Sequence, residues 1–161
     1  MNMTTHPQSN EPAKSTATDT RRAWMAVLAK APTDALVRAW GAMSGKPAYR
    51  HLRRPETGLV MVRGRAGGTG QRFNLGEMTV SRCAVALENG IVGHGYVAGR
   101  DHRKAELAAI FDALLQDSDR RAEVEALVTR PLSEAQAARK AERRRKAAAT
   151  RVEFLTMVRD R

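Results

Sequence analysis

From Thr57 to Glu77 an apolar stretch, Leu59 to Val62, runs into Arg63 and Arg65. It then enters a turn holding Gly67, Gly68, Thr69 and Gly70, and leaves through Arg72 and Phe73. Glycine takes positive φ at little cost, and its missing side chain leaves the backbone amides open to approach. Two readings follow. The run is a β-hairpin whose loop needs glycine for its turn angles, or it is a cradle in which N–H groups between fixed cations hold an oxyanion such as a phosphate or phosphonate. On the second reading the anion site is Arg65, Gly67, Gly68, Thr69, Gly70 and Arg72. A short glycine-rich motif does not by itself choose between them.

The surroundings of this run are cationic. The chain carries a formal charge of +11 over 161 residues, and +6 of that lies in residues 136–161. Such a field attracts anions, whether nucleotide triphosphates, nucleic acids or acidic protein surfaces. Apolar residues make up 42%, which suits a globular protein, but aromatic residues only 4%. Rings supply much of a core's buried area, so the expectation is a thin core completed by another chain. Cys83 is the one cysteine, which excludes an internal disulfide and an iron–sulfur cluster held by this chain alone. His6, His51, His94 and His102 have no zinc-ligand spacing. No metal or cofactor bound by the chain alone is expected. No apolar run is long enough to span a membrane, and the N-terminus lacks a signal peptide's apolar segment, so the expected location is the cytoplasm.

Residues 1–19 are polar and aperiodic and read as a disordered lead-in to a single domain over 20–161. From Thr20, Trp24, Val27 and Leu28 share a helical face that stops before Pro32. Thr33 then caps a second short helix with Leu36, Val37, Trp40 and Met43 inward. Strands follow at Tyr49–Arg54, Leu59–Arg65, Arg72–Leu75 and Met78–Glu88, with a turn at Pro55–Gly58. Asn89-Gly90 predicts a type I′ hairpin into Ile91–Ala98, where Gly93 and Gly95 signal close approach of another backbone. Asp101 caps a helix with Ala105, Leu107, Ala108, Phe111, Leu114 and Leu115 on its apolar face. A further helix runs to Thr129 and is broken by Pro131, and an Ala/Arg/Lys/Glu helix fills Leu132 to Ala149. Arg151 to Arg159 reads as a strand covered on both faces. The fold class is α+β: an N-terminal helical hairpin, an antiparallel sheet with glycine-rich hairpins, then helices and a C-terminal strand.

Most enzyme signatures are missing. The glycine run lacks the Lys-Ser/Thr ending of a P-loop and leads into a strand, and there is no nucleophile elbow, zinc-protease motif or dinucleotide fingerprint. Arg100, Asp101 and His102 form the nearest thing to a catalytic cluster, at a helix start that favours anions and with a histidine, a residue type that titrates near neutral pH. The alternative is an ordinary cap with two solvated basic side chains. Cys83 on an apolar strand face reads as core. Arg139 to Lys146 wraps a helix in cations with no aromatic residue between them, unlike a nucleic-acid reader. A small basic nucleic-acid-binding protein is the competing reading of the chain as a whole.

The ordered blocks Arg22–Ala29, Glu56–Val60, Gly67–Phe73, Gly99-Arg100-Asp101, and Arg151–Phe154 followed by Thr156–Arg159 resemble the PhnG family in order and spacing. PhnG proteins are small subunits of the bacterial carbon–phosphorus lyase core complex. The resemblance covers roughly residues 20–160 and implies a subunit acting with PhnH, PhnI and PhnL. In that step the ribose triphosphate of ATP passes to methylphosphonate with release of adenine, and the radical subunit PhnJ breaks the C–P bond afterwards. It implies ATP and an alkylphosphonate as substrates of the complex, and gives no catalytic residue on this chain. Trp24, Val152, Phe154 and Val158 are the expected partner contacts.

Overall fold

The computed structural model describes residues 11–65 and 69–149. Gly67 and Gly68, and the expected strand with Val152, Phe154 and Val158, lie outside the described residues. Two helices, α1 (Glu11–Lys30) and α2 (Thr33–Ala42), precede a three-stranded antiparallel sheet. Its strands are β1 (Tyr49–Arg65), β2 (Arg72–Leu87) and β3 (Val92–Ala98), in the order β1-β2-β3. Then come α3 (His102–Gln116), α4 (Ser118–Val124), a π-helical turn (Glu125–Thr129) and α5 (Arg130–Ala149). This is the expected α+β class.

The body is organised around α3. Ala109, Ile110 and Ala113 are as fully buried as the predicted apolar face of Leu107, Phe111, Leu114 and Leu115, so from Leu107 to Leu115 the helix is covered all round. One side rests on the sheet. A Cβ on Gly93 would overlap the Ala109 carbonyl oxygen and come within 2.6 Å of the Ala113 nitrogen. A Cβ on Gly95 would overlap the Ala105 carbonyl oxygen and sit 3.0 Å from the Ala109 nitrogen. Alternate strand residues share one face and helix residues four apart share another, so two glycines of β3 receive three alanines of α3. The backbone approach predicted from Gly93 and Gly95 is this one. The other side of α3 is covered by α1 and α2 through Leu28 and Leu36, and Trp40 meets Phe111 edge-on at 6.1 Å. Close packing of small residues supplies density that the scarcity of rings left in doubt.

Several predicted boundaries are corrected. Residues 11–19, read as lead-in, are helical: Ala13, Lys14 and Ala17 favour a helix, and nothing after Pro12 interrupts it until Lys30. Pro32, not Thr33, stands at the N-cap of α2, and no side chain caps it. Pro55–Gly58 makes no turn; β1 continues through it, because an edge strand with a register shift between Arg53 and Glu56 tolerates a residue without an N–H. Likewise β2 is unbroken from Arg72 to Leu87, with Leu75 the extra residue opposite the Val62–Arg63 step. Among the described residues no non-glycine has positive φ, which excludes a type I′ turn at Asn89-Gly90. Gly90 alone is left-handed (φ 82°), after a turn closed by its N–H donating to Leu87 O at 3.0 Å, so the hairpin ends in a glycine bulge. Pro131 does not break the chain's helical course. The preceding turn widens, the Arg130 N–H reaches Glu125 O, and the helix passes the proline ring.

Pairing between β1 and β2 extends to Arg65 opposite Arg72, whereas β3 stops at Ala98 opposite Val80. Beyond Gly58 and Val80 the sheet is therefore a two-stranded ribbon, roughly 23 Å long at about 3.3 Å per residue. We expect Gly95→Ala to destabilise the body by about 1–3 kcal/mol, since the new methyl must push α3 off the sheet. Urea unfolding followed by circular dichroism measures this; a midpoint equal to wild type contradicts the packing described.

Candidate functional site

The glycine run forms the far end of the ribbon. Arg65 pairs directly across from Arg72, and Arg63, two residues back on the same strand, shares their face. All three are exposed, as is Thr69 in the turn. Like charges placed directly opposite repel, and among the described residues no carboxylate forms an ion pair with any of the three. The described part of this candidate anion site is thus an unneutralised arginine pair at the tip of an exposed hairpin.

The second candidate cluster has a structural job. Asp101 accepts from the Lys104 backbone N–H at 2.9 Å and caps α3. Its other oxygen accepts from the Thr33 hydroxyl at the start of α2. Its own N–H donates to Ser81 Oγ at 2.9 Å, and that hydroxyl donates to Gly99 O at 2.8 Å. Asp101, through its carboxylate and its backbone N–H, therefore ties α2, β2 and α3 together. Burial works to raise its pKa, but the Thr33 and Lys104 bonds outweigh it and hold the carboxyl below its ordinary value. His102 is turned to the ribbon's base, with Nε2 2.8 Å from Thr57 Oγ. Arg100 is exposed beside them. Register separates this cluster from the tip by the length of the ribbon, so the two candidates do not form one site.

Two polar centres went unnoticed in the sequence. Asp112, fully buried on α3, accepts from Arg21 Nη2 at 2.7 Å, Trp24 Nε1 at 2.9 Å and the His94 backbone N–H at 2.9 Å. A lone acid inside an otherwise apolar helix was the available signal. Trp24 is only 7% exposed and spends its one N–H on Asp112. Its side chain belongs to this chain's own core. The second centre is Glu106, which accepts from Tyr49 Oη at 3.0 Å and Arg103 at 2.7 Å and lies 3.0 Å from His51 Nε2. Burial again pushes upward, but the Arg103 and Tyr49 hydrogen bonds win and lower the Glu106 pKa. Burial and the Glu106 carboxylate raise that of Tyr49.

Cys83 is buried, and burial pushes its thiol up to about 11. It is protonated at neutral pH and unsuited to nucleophilic attack. Among the described residues no three His, Cys, Asp or Glu side chains are placed to hold a metal, and no helix is long and apolar enough to cross a membrane. On α5, Arg139, Lys140 and Arg143 join Lys30 along an open groove of about 480 Å³, and Gln136 donates to Val27 O at 2.9 Å to fix the helix against α1.

These features define a small α+β protein with a glycine-welded body and a cationic hairpin arm. The chain belongs to the PhnG family: residues 19–160 match the family described as phosphonate metabolism protein PhnG. It is 56% identical over 143 residues to the alpha-D-ribose 1-methylphosphonate 5-triphosphate synthase subunit PhnG of Rhizobium meliloti (strain 1021), covering 86% of this chain and 88% of that one.

The lowered Glu106 pKa sets a pH dependence. Its folded value lies below the ordinary 4.5, so its stabilisation is complete above the unfolded value and is lost as pH falls through the folded one. We expect Glu106→Gln to lower the urea midpoint at about pH 7 and to lose that deficit toward about pH 3. Parallel midpoint curves for the two proteins across this range contradict the assignment.

Proposed function

We propose that this chain serves as a non-autonomous subunit of an alpha-D-ribose 1-methylphosphonate 5-triphosphate synthase in cytoplasmic phosphonate breakdown. The observation that carries the reading is the 56% identity, over most of both chains, to a relative bearing that name. The partners are PhnH, PhnI and PhnL, with PhnJ acting on the product. The substrates of the complex are ATP and methylphosphonate. In the reaction a phosphonate oxygen bonds to C1′ of the ribose, the bond from C1′ to adenine N9 breaks with its electron pair, and adenine leaves after taking up a proton.

The chemical difficulty is that two anions, a phosphonate and a triphosphate, must approach while C1′ gains positive character. Fixed cations near the reactants offset their repulsion and hold them in line. The unneutralised pair Arg65 and Arg72 at the arm tip supports this role, with Arg63 on the same face. Thr69 and Gly70 follow in the turn, and Gly67 and Gly68 complete the candidate set. Arg100 and His102 remain a secondary candidate, since Asp101 is committed to its cap.

The test is adenine release by the co-expressed complex. Omitting this chain removes turnover on the proposed reading. We expect Arg72→Ala to leave the complex intact and slow adenine release about 10- to 150-fold, the loss of one charge-assisted hydrogen bond worth roughly 1.5–3 kcal/mol in the transition state. A wild-type rate in an intact Arg72→Ala complex removes the arm tip from the reaction.

A further inference from the structure

The helices gather on the face of the sheet that Gly93, Gly95, Val85 and Cys83 share. On the opposite face Val80, Ala84 and Ala86 of the central strand are buried and α1 borders His94, but toward the ribbon the side chains stay exposed. Alternation and register place Tyr96, Met78, Phe73 and Leu75 there. They are 47%, 42%, 46% and 65% exposed. Leu75 lies over Gly64, where an added Cβ would be 3.8 Å from its methyls, which fixes it on this side of the ribbon. Near the body, Leu52 and Tyr96 line an open trough of about 480 Å³ with Arg53 and Arg82.

The backbone is also unfinished. Gly99 N–H donates to Thr79 O at 2.9 Å, the last contact along that edge, and β3 pairs only with Val80 to Ala86. From Met78 toward Arg72 the outer edge of β2 has no strand beside it among the described residues. A long exposed edge with apolar side chains is an aggregation hazard that proteins ordinarily cover, and apolar patches of this kind mark interaction surfaces.

Charge selects the occupant. Next to the apolar stripe, Arg50, Arg53 and Arg82 outnumber the single carboxylate Glu56, which Arg53 and Arg82 already share at 3.1 and 2.7 Å. A second copy of a chain of charge +11 would set this basic border against itself. We propose that the open face and the β2 edge from Arg72 to Thr79 dock an acidic subunit of the same synthase, which lays an extended segment along the edge and apolar side chains over Leu75 and Tyr96. Strand addition of this kind takes affinity from main-chain hydrogen bonds and specificity from alternate side chains. The proposal rests on the reading of the chain as a synthase subunit.

The test co-expresses the tagged full chain with the other synthase subunits and compares wild type, Leu75→Glu with Tyr96→Glu, Leu75→Lys with Tyr96→Lys, and Arg50→Glu with Arg82→Glu. We expect the glutamate pair to reduce capture at least tenfold, the lysine pair to reduce it less, and the arginine reversal to flatten the salt dependence of capture. Melting of the free chain should not change for the Leu75 and Tyr96 pairs, whose side chains are exposed; the arginine reversal, which sets a glutamate opposite Glu56, is read by its salt dependence alone. Equal loss for glutamate and lysine overturns the acidic character of the partner. Full capture by all variants, with wild-type adenine release, overturns the docking face and leaves the functional reading standing. A wild-type chain that captures nothing and supports no turnover overturns both. A concentration-dependent dimer of the chain alone, or melting lowered by the glutamate pair, assigns the face to a second copy or to the chain's own remaining segments and overturns the proposal.

Discussion

The seat of α3 on the backbone of β3 is the contact on which the other elements depend. Because Gly93 and Gly95 have no side chains, the helix lies nearer the sheet than any substituted strand would permit. That approach brings Asp112 to the His94 N–H, and from there to Arg21 and Trp24 of α1. A buried carboxylate is tolerated only when its hydrogen bonds are made, so α1 is tied to the sheet through a side chain of α3. The same helix start is tied to α2 and β2 by Asp101, Thr33 and Ser81. Both polar knots require α3 at one depth and one rotation, and the glycines set them.

A body built in this way leaves its apolar surplus on the ribbon. Side chains such as Leu59, at 63% exposure, and Leu75 gain nothing from the helices, which end before reaching them. The charge distribution divides in parallel: the tip carries the arginine pair, and the open face carries apolar side chains with a basic border. The proposed role, a subunit that completes another chain's site, uses an arm on a rigid base, and the described residues hold both.

Much of the body was legible in the sequence for a physical reason. Gly93 and Gly95, placed two apart in an apolar strand, announce a close approach, and Asp101 before an apolar helix announces a cap. The ribbon was less legible. Pro55 and Gly58 carry turn chemistry, yet cross-strand pairing over Tyr49 to Arg65 overrides them, because an edge strand absorbs a proline at a register shift. Pro131 misled likewise, since a widened helical turn accommodates its ring. Trp24 shares its helical face with Leu28, but that its indole N–H ends on the distant Asp112 could not be read from the sequence. The hairpin tip could be located but not assigned a role from residue types, because solvated arginines and anion-binding arginines read alike.

Hydrogen exchange on the chain alone and in the assembled complex tests the central claim most directly, because it separates the body from the arm within one molecule. The account holds that amides of α3 and β3 are protected in both states, while those from Met78 back to Arg72 exchange readily in the free chain and become protected on assembly. Protection of that edge in the free chain equal to that of α3, or no gain in protection within the complex, would contradict it.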